Sequence, residues 1–207
     1  MDVTVAVFDV DGTLTVRDCV VPFTRRAAGI ATLLRGLLRE PKNLLTTLWS
    51  RDRDLMKSFF TRIAFTGLDA AELDVKAIAF ADEVYSGWMR EDVARRFRWH
   101  QEQGHVVVLV SASFDTYLVP LGDLLEADAV LCTRLEIVNG LSTGRLSGPN
   151  CRGAEKVSRI TLWCQEAGIP LDAVEYAYGD SRGDDEMLEL ARHRFYVAKR
   201  EISETPW

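Results

Sequence analysis

Apolar positions along the chain change their period several times, and each change marks a predicted element. The run Val3-Thr4-Val5-Ala6-Val7-Phe8 is short, rich in β-branched residues and stops at Asp9-Val10-Asp11-Gly12-Thr13. That pattern predicts a buried strand opening into a loop. From about residue 20 to residue 85 the spacing becomes helical. Leu33, Leu34, Leu37 and Leu38 share one face, Leu44, Leu45 and Leu48 form a second apolar group, and Pro41 separates the two helices. Two further helices are predicted over 54–65 and 70–85, with Gly67 as the stop between them, and no strand falls in this block.

A helix over 92–103 ends at Gly104, and His105-Val106-Val107-Val108-Leu109-Val110 predicts a second buried strand that meets Ser111-Ala112-Ser113. A helix over 114–125 and a strand over 129–132 follow, and the Asn139-Gly140 pair predicts a small hairpin within 135–141. A helix over 154–167 leads into Val174-Glu175-Tyr176-Ala177-Tyr178, a strand that ends at Gly179-Asp180-Ser181. A helix over 184–191 and a strand over 195–198 complete the pattern. Strands alternating with helices predict an α/β fold with a Rossmann-like parallel sheet, in which ligands bind beyond the carboxyl ends of the strands. The helical block over 17–85 reads as a cap inserted after the first strand, leaving 1–16 and 86–207 as the core.

Composition narrows the function classes. A chain of 207 residues with 47% hydrophobic content can bury the core of one large domain carrying a smaller insert. With 25 Lys and Arg against 31 Asp and Glu the net charge is −6, which argues against a nucleic-acid partner. Cys19, Cys132, Cys151 and Cys164 form no Cys-x-x-Cys pair and read as reduced, mostly buried thiols. No basic segment precedes an apolar run at Met1-Asp2-Val3-Thr4, and Arg35, Arg39, Glu40 and Lys42 interrupt the leucine-rich part. A cytoplasmic location without a spanning helix is the expectation.

Asp9 and Asp11 lie two apart at a strand end, and Asp180 stands at the end of another. Three carboxylates without cysteine or histidine suit a hard cation, Mg2+ above all where phosphate supplies further ligands. Each feature alone has an ordinary reading: a solvated acidic loop, a serine capping a helix at Ser111, a solvated lysine at Lys156. Together, Phe8-Asp9-Val10-Asp11-Gly12-Thr13-Leu14-Thr15, Val110-Ser111-Ala112-Ser113, Lys156 and Gly179-Asp180-Ser181-Arg182-Gly183-Asp184-Asp185 resemble the haloacid-dehalogenase-like (HAD) hydrolases, in their phosphoserine-phosphatase-like branch. The resemblance covers essentially the whole chain.

This resemblance implies a phosphomonoester hydrolase acting through an aspartyl phosphate. Asp9 is then the nucleophile and a metal ligand. Asp11 protonates the leaving alkoxide, activates water afterwards, and touches the metal through its backbone carbonyl. Ser111 and the amides after it, beginning at Ala112, hold phosphate oxygens, and Lys156 neutralises charge on Asp9 and the phosphoryl group. Asp180 is a further metal ligand, Asp184 a ligand or the hydrogen-bonding partner of one, and Asp185 a cap or solvent-facing residue.

Asp18 resembles the acidic residue that phosphoserine phosphatases place against the substrate ammonium, where they carry glutamate. Arg62 resembles the arginine that pairs with the substrate carboxylate. Together they would select an amino-acid phosphate; the plainer alternative is a surface ion pair. Ser181-Arg182-Gly183 departs from the small residues ending in asparagine usual in that branch. The leucine-rich cap, Cys151-Arg152-Gly153-Ala154-Glu155-Lys156 and His193-Arg194-Phe195-Tyr196-Val197 also resemble the phosphatidylglycerophosphatase C group, which acts on a lipid phosphate.

Three function classes follow. A small-molecule phosphatase leads, a lipid head-group phosphatase is second, and a non-catalytic phosphate-binding module is third, disfavoured by intact Asp9, Asp11, Lys156 and Asp180. The apolar face over 33–49, flanked by Arg25, Arg26, Arg35, Arg39, Arg51 and Arg53, could make peripheral contact with an anionic bilayer. The ordinary expectation is that this stripe, with the Trp and Met residues of the cap, fills the cap's own core. Either a monomer or a homodimer is consistent with the composition.

Overall fold

The computed structural model describes residues 3–50, 52–197, 201–203 and 205; Arg51 and Ala198 lie outside them. Strand β1 (Val5–Phe8) is wholly buried because sheet neighbours flank it and helices cover both its faces. Beside it run β2 (Val106–Phe114) and β6 (Val174–Gly179), with β3 (Ala129–Thr133) and β7 (His193–Tyr196) outside them, in the order β3-β2-β1-β6-β7. Every pairing is parallel, with Phe8 level with Leu109 of β2 and Tyr178 of β6.

The two-residue period of the strands divides the core. Ala6, Phe8, Val107, Leu109, Tyr176 and Tyr178 pack with α6 (Glu91–Glu102) and α7 (Asp115–Leu124). Val5, Val7, Val108, Val110, Val174 and Ala177 pack with α8 (Ala154–Ala167) and α9 (Asp185–Leu190), through Ile160, Cys164, Met187 and Leu188. A two-residue turn joins β4 (Leu135–Val138) to β5 (Leu141–Leu146), with both Asn139 (φ 51°) and Gly140 (φ 77°) left-handed. That is the type I′ geometry whose twist matches antiparallel strands.

Between β1 and α6 the chain forms α1 (Val20–Ala28), α2 (Ile30–Arg39), α3 (Pro41–Ser50), α4 (Arg53–Phe65) and α5 (Ala70–Gly87). The Asp52 carboxylate caps α4 by accepting from the amides of Asp54 and Leu55 at 2.8 and 3.1 Å. Leu73, Ala77, Phe80, Ala81 and Val84 of α5 join the apolar cluster that covers one face of the sheet. Phe23 of α1 links the two regions, its ring 5.4 Å from that of Phe80 and 4.6 Å from that of Tyr117. The hairpin also holds the insert, since the Gly67 amide donates to Ser142 and the Ala70 amide to Gly140, both at 2.8 Å.

Three expectations change. β2 continues past Val110 to Phe114 because Ser111 to Ser113 stay extended beside β3, across a bulge between the Ser111–Cys132 and Phe114–Thr133 pairs. β7 begins at His193, not at residue 195. The leucine stripe does not fill the cap's core: α2 and α3 contain no buried residue, Leu33, Leu37 and Leu44 are half-buried, and Leu34, Leu38, Leu45, Leu48 and Trp49 are exposed. The reason is limited packing: α2 rests chiefly on α1, α3 and α4, and α3 chiefly on α2 and α4. α2 meets α4 along one edge, where Gly36 sits against Ile63 so closely that a Cβ would lie 2.2 Å from its side chain. All four cysteines are buried free thiols, and among the described residues no helix is long and apolar enough to cross a membrane.

Candidate active site

Chain direction away from β1 reverses between β2 on one side and β6 on the other, and side chains from all three carboxyl ends meet there. Asp9 follows β1 with its amide bonded to the Tyr178 carbonyl at 2.9 Å. One Asp9 carboxylate oxygen accepts from Lys156 Nζ at 2.6 Å and the other from the Thr13 hydroxyl at 2.9 Å. Lys156, buried on α8, also donates to Asp184 at 2.7 Å. Burial alone would lower the Lys156 pKa, but the Asp9 and Asp184 charges outweigh it and keep the ammonium protonated. Burial and Asp184 raise the Asp9 pKa against the opposing pull of Lys156.

Asp180 and Asp184 come from the β6–α9 turn. Asp184 accepts from the Ser181 amide and hydroxyl at 3.0 and 2.9 Å, which fixes its carboxylate. Gly179 is required beneath it, because a Cβ there would lie 2.5 Å from the Asp184 side chain. Gly12 has the same necessity twice over: its φ is +83°, and a Cβ would stand 2.4 Å from an Asp180 oxygen. Burial, then Asp9 and Asp184, push the Asp180 pKa up to about 6. Oxygen atoms of Asp9, Asp180 and Asp184 lie within 4.8 Å of one another, a hard donor set that fits Mg2+.

The Asp11 carboxylate is turned away from that set. It accepts from the Cys19 amide at 2.7 Å and from the Ser113 hydroxyl, which in turn accepts from Tyr117 at 2.6 Å. Burial, then the Asp18 charge, push its pKa up to about 6, leaving a carboxyl that can carry a proton near neutrality. Ser111 is buried and accepts from the Ser113 amide at 3.0 Å. It lines, with Ala112, the cavity of about 320 Å³ that also contains Asp9, Asp11, Lys156, Asp180 and Asp184.

The insert contributes Asp18, Val20 and Arg53 to this cavity, and the loop before α8 contributes Arg152. Asp18 is exposed and also caps α1 by accepting from the Val21 amide at 3.0 Å. Arg62 is not brought there. Both its terminal nitrogens are committed to Glu40 at 2.6 and 2.7 Å, and it lines a separate cavity of about 750 Å³ with Asn43, Phe59 and Arg145. The reason is local: α2 ends at Glu40 against α4, so the nearest carboxylate captures the guanidinium.

Lys57 of α4 makes a further clasp between insert and core, this one beside the cavity. It donates to the Ala112 carbonyl and, at 2.9 Å, to Asn150, whose amide reaches back to Asp54 at 2.7 Å. Burial lowers its pKa to about 8. Sequence reasoning gave Ser113, Tyr117, Lys57 and Arg152 no role of their own. Only the four-residue step from Ser113 to Tyr117 is a local signal; the others depend on contacts distant in sequence.

The sequence profile described as haloacid dehalogenase-like hydrolase matches residues 6–189. Protein CicA of Caulobacter vibrioides is 35% identical over 190 residues, 91% of this chain and 83% of its own. A phosphoserine phosphatase of Polaromonas is 29% identical over 208 residues, 95% of this chain and 80% of its own. A solved phospho-aspartyl intermediate analogue of phosphoserine phosphatase shares the fold with a TM-score of 0.63 at 19% identity, over 92% of this chain and 84% of that one. With the profile spanning most of the sequence, this chain belongs to the haloacid dehalogenase-like hydrolases, and it is similar in sequence and fold to phosphoserine phosphatases.

Proposed function

We propose that the protein is a magnesium-dependent phosphatase that cleaves a small phosphomonoester through an aspartyl phosphate on Asp9, with residues 17–85 acting as the cap over the site. The observation that carries this reading is the convergence of Asp9, Asp180 and Asp184 within 4.8 Å, with Lys156 bonded to two of them at 2.6 and 2.7 Å. When bound by these carboxylates, Mg2+ supplies positive charge that offsets repulsion between an anionic nucleophile and an anionic phosphate.

An Asp9 oxygen attacks phosphorus and the ester P–O bond breaks, while protonated Asp11 gives its proton to the departing alkoxide. Asp11, now a carboxylate, takes a proton from water; that water attacks the phosphoryl group, releasing phosphate and restoring Asp9. Lys156 and Thr13 hold Asp9 in one orientation, and Ser113 with Tyr117 holds Asp11. In this reading Ser111 and the Ala112 amide, from residues that line the cavity, receive the phosphate oxygens.

The same cavity suggests what the leaving group carries. Arg53 and Arg152 line it, and among the described residues no carboxylate is ion-paired to either guanidinium. They suit a second anionic group on the substrate, and Asp18, which lines the same cavity, suits a cation. Phosphate release from a panel including phosphoserine, histidinol phosphate and phosphatidylglycerol phosphate, with Mg2+ and then with a chelator, tests this. Metal-dependent release is expected, and Arg152→Met should raise KM about tenfold for carboxylate-bearing esters while sparing p-nitrophenyl phosphate. Release that persists in chelator would contradict the proposal.

A further inference from the structure

We infer that the exposed edge of α2 and α3 docks the protein onto an anionic lipid bilayer, an interaction beyond the proposed catalysis. Along α2, Ile30, Leu34 and Leu38 recur every fourth residue on the side turned away from α4, and all three are exposed. Along α3, Leu45, Leu48 and Trp49 are exposed as well and line a shallow, mainly apolar surface hollow with Thr46, with Leu38 79% and Trp49 90% accessible. These side chains do not serve the internal core, which is built instead by Phe23, Ala64, Phe65 and Phe80. Large apolar side chains exposed in number on two successive helices mark an interaction site.

Charge decides the partner. Residues 20–50 contain Arg25, Arg26, Arg35, Arg39 and Lys42 against a single acidic residue, Glu40, in a chain whose net charge is −6. Glu40 is paired with Arg62 and Arg26 with Glu83, so among the described residues Arg25, Arg35, Arg39 and Lys42 carry the positive charge outside ion pairs. Helical spacing puts Arg35 and Arg39 one residue beyond Leu34 and Leu38, so a basic line borders the apolar one. Leucine and tryptophan bordered by arginine suit an in-plane helix resting at a negatively charged bilayer surface. A second copy meeting the same face about a twofold axis would bring these arginines against one another, which costs affinity.

Co-sedimentation of the full chain with phosphatidylcholine vesicles, and with vesicles containing phosphatidylglycerol, tests the inference. Binding is expected only to the anionic vesicles and should weaken with salt. The triple variant Leu38→Ser, Leu45→Ser, Trp49→Ser should lose at least tenfold in partitioning, and Arg35→Gln with Arg39→Gln roughly fivefold per charge. All five positions are exposed, and unchanged circular dichroism together with unchanged release of phosphate from a soluble ester shows that the variants remain folded and competent. No anionic-vesicle binding, equal binding to both vesicles, or wild-type binding by the triple variant overturns the inference. A dimer that the triple variant disperses, without vesicle binding, assigns the face to a second copy and overturns it equally. None of these results bears on Asp9 chemistry.

Discussion

Lys156 is the residue on which the electrostatics of the candidate site turn. It is buried with Asp9 and Asp184, so removing its charge leaves two carboxylates facing each other without compensation. Lys156→Met should cost about 3 kcal/mol in a urea melt of the metal-free protein and lower kcat/KM at least about 10²-fold. The metal-free site should also respond to pH. A carboxyl whose folded pKa is about 6, as at Asp180, binds more protons folded than unfolded between its ordinary value near 3.8 and 6. Stability without metal therefore falls as pH rises through that window. Metal competes with those protons, so the thermal stabilisation conferred by Mg2+ should grow between about pH 5 and pH 7.5; a constant or shrinking increment would contradict the assignment of Asp9, Asp180 and Asp184 as its donors.

Residue types and spacing by themselves single out Asp9, Asp11 and Asp180 as carboxylates at strand ends, whereas Ser111, Lys156 and Asp184 take their roles only from the family resemblance. They do not reveal which charge a long side chain will find. Arg62 takes Glu40, on a helix the sequence could not orient, while Arg53 and Arg152 reach the cavity instead.

Among elements, α4 has the strongest hold on access to the site. Its Lys57 and Asp54 meet Asn150 and the Ala112 carbonyl, so one polar clasp ties the insert to the end of β2 that lines the cavity. Asn150→Ala removes both arms at Asn150 and should destabilise the protein by about 1–3 kcal/mol. It should raise KM more than it lowers kcat, because the reacting groups stay in place; an unchanged KM in steady-state kinetics would deny α4 that role. The strand alternation and the Asn139-Gly140 turn made the sheet and hairpin legible in advance. The extension of β2 was not, since its last residues before Phe114 are small or polar and stay extended only through pairing with β3.

At the scale of the whole molecule, the core continues into the C-terminal segment. Phe8, Tyr178 and Phe195 stack across three strands with centroids 4.2 and 4.7 Å apart, and buried Arg96 donates to Tyr178 at 2.8 Å and to the carbonyls of Ser203 and Thr205 at 2.5 Å. The Ile202 amide reaches Asp92 at 2.9 Å. Truncation after residue 200 should therefore cost about 2–3 kcal/mol by leaving a buried guanidinium short of acceptors, read as a lower urea midpoint. Nothing in the local pattern around Arg96 announces this, because its partners lie more than 80 residues away.

The most direct test of the catalytic account is to quench turnover with acid and map the phosphorylated peptide by mass spectrometry. One phosphoryl group on Asp9 is predicted, absent from a homogeneous Asp9→Asn variant that keeps its fold and loses turnover. Sustained phosphate release by Asp9→Asn, or a phosphoryl group found on another residue, would contradict it.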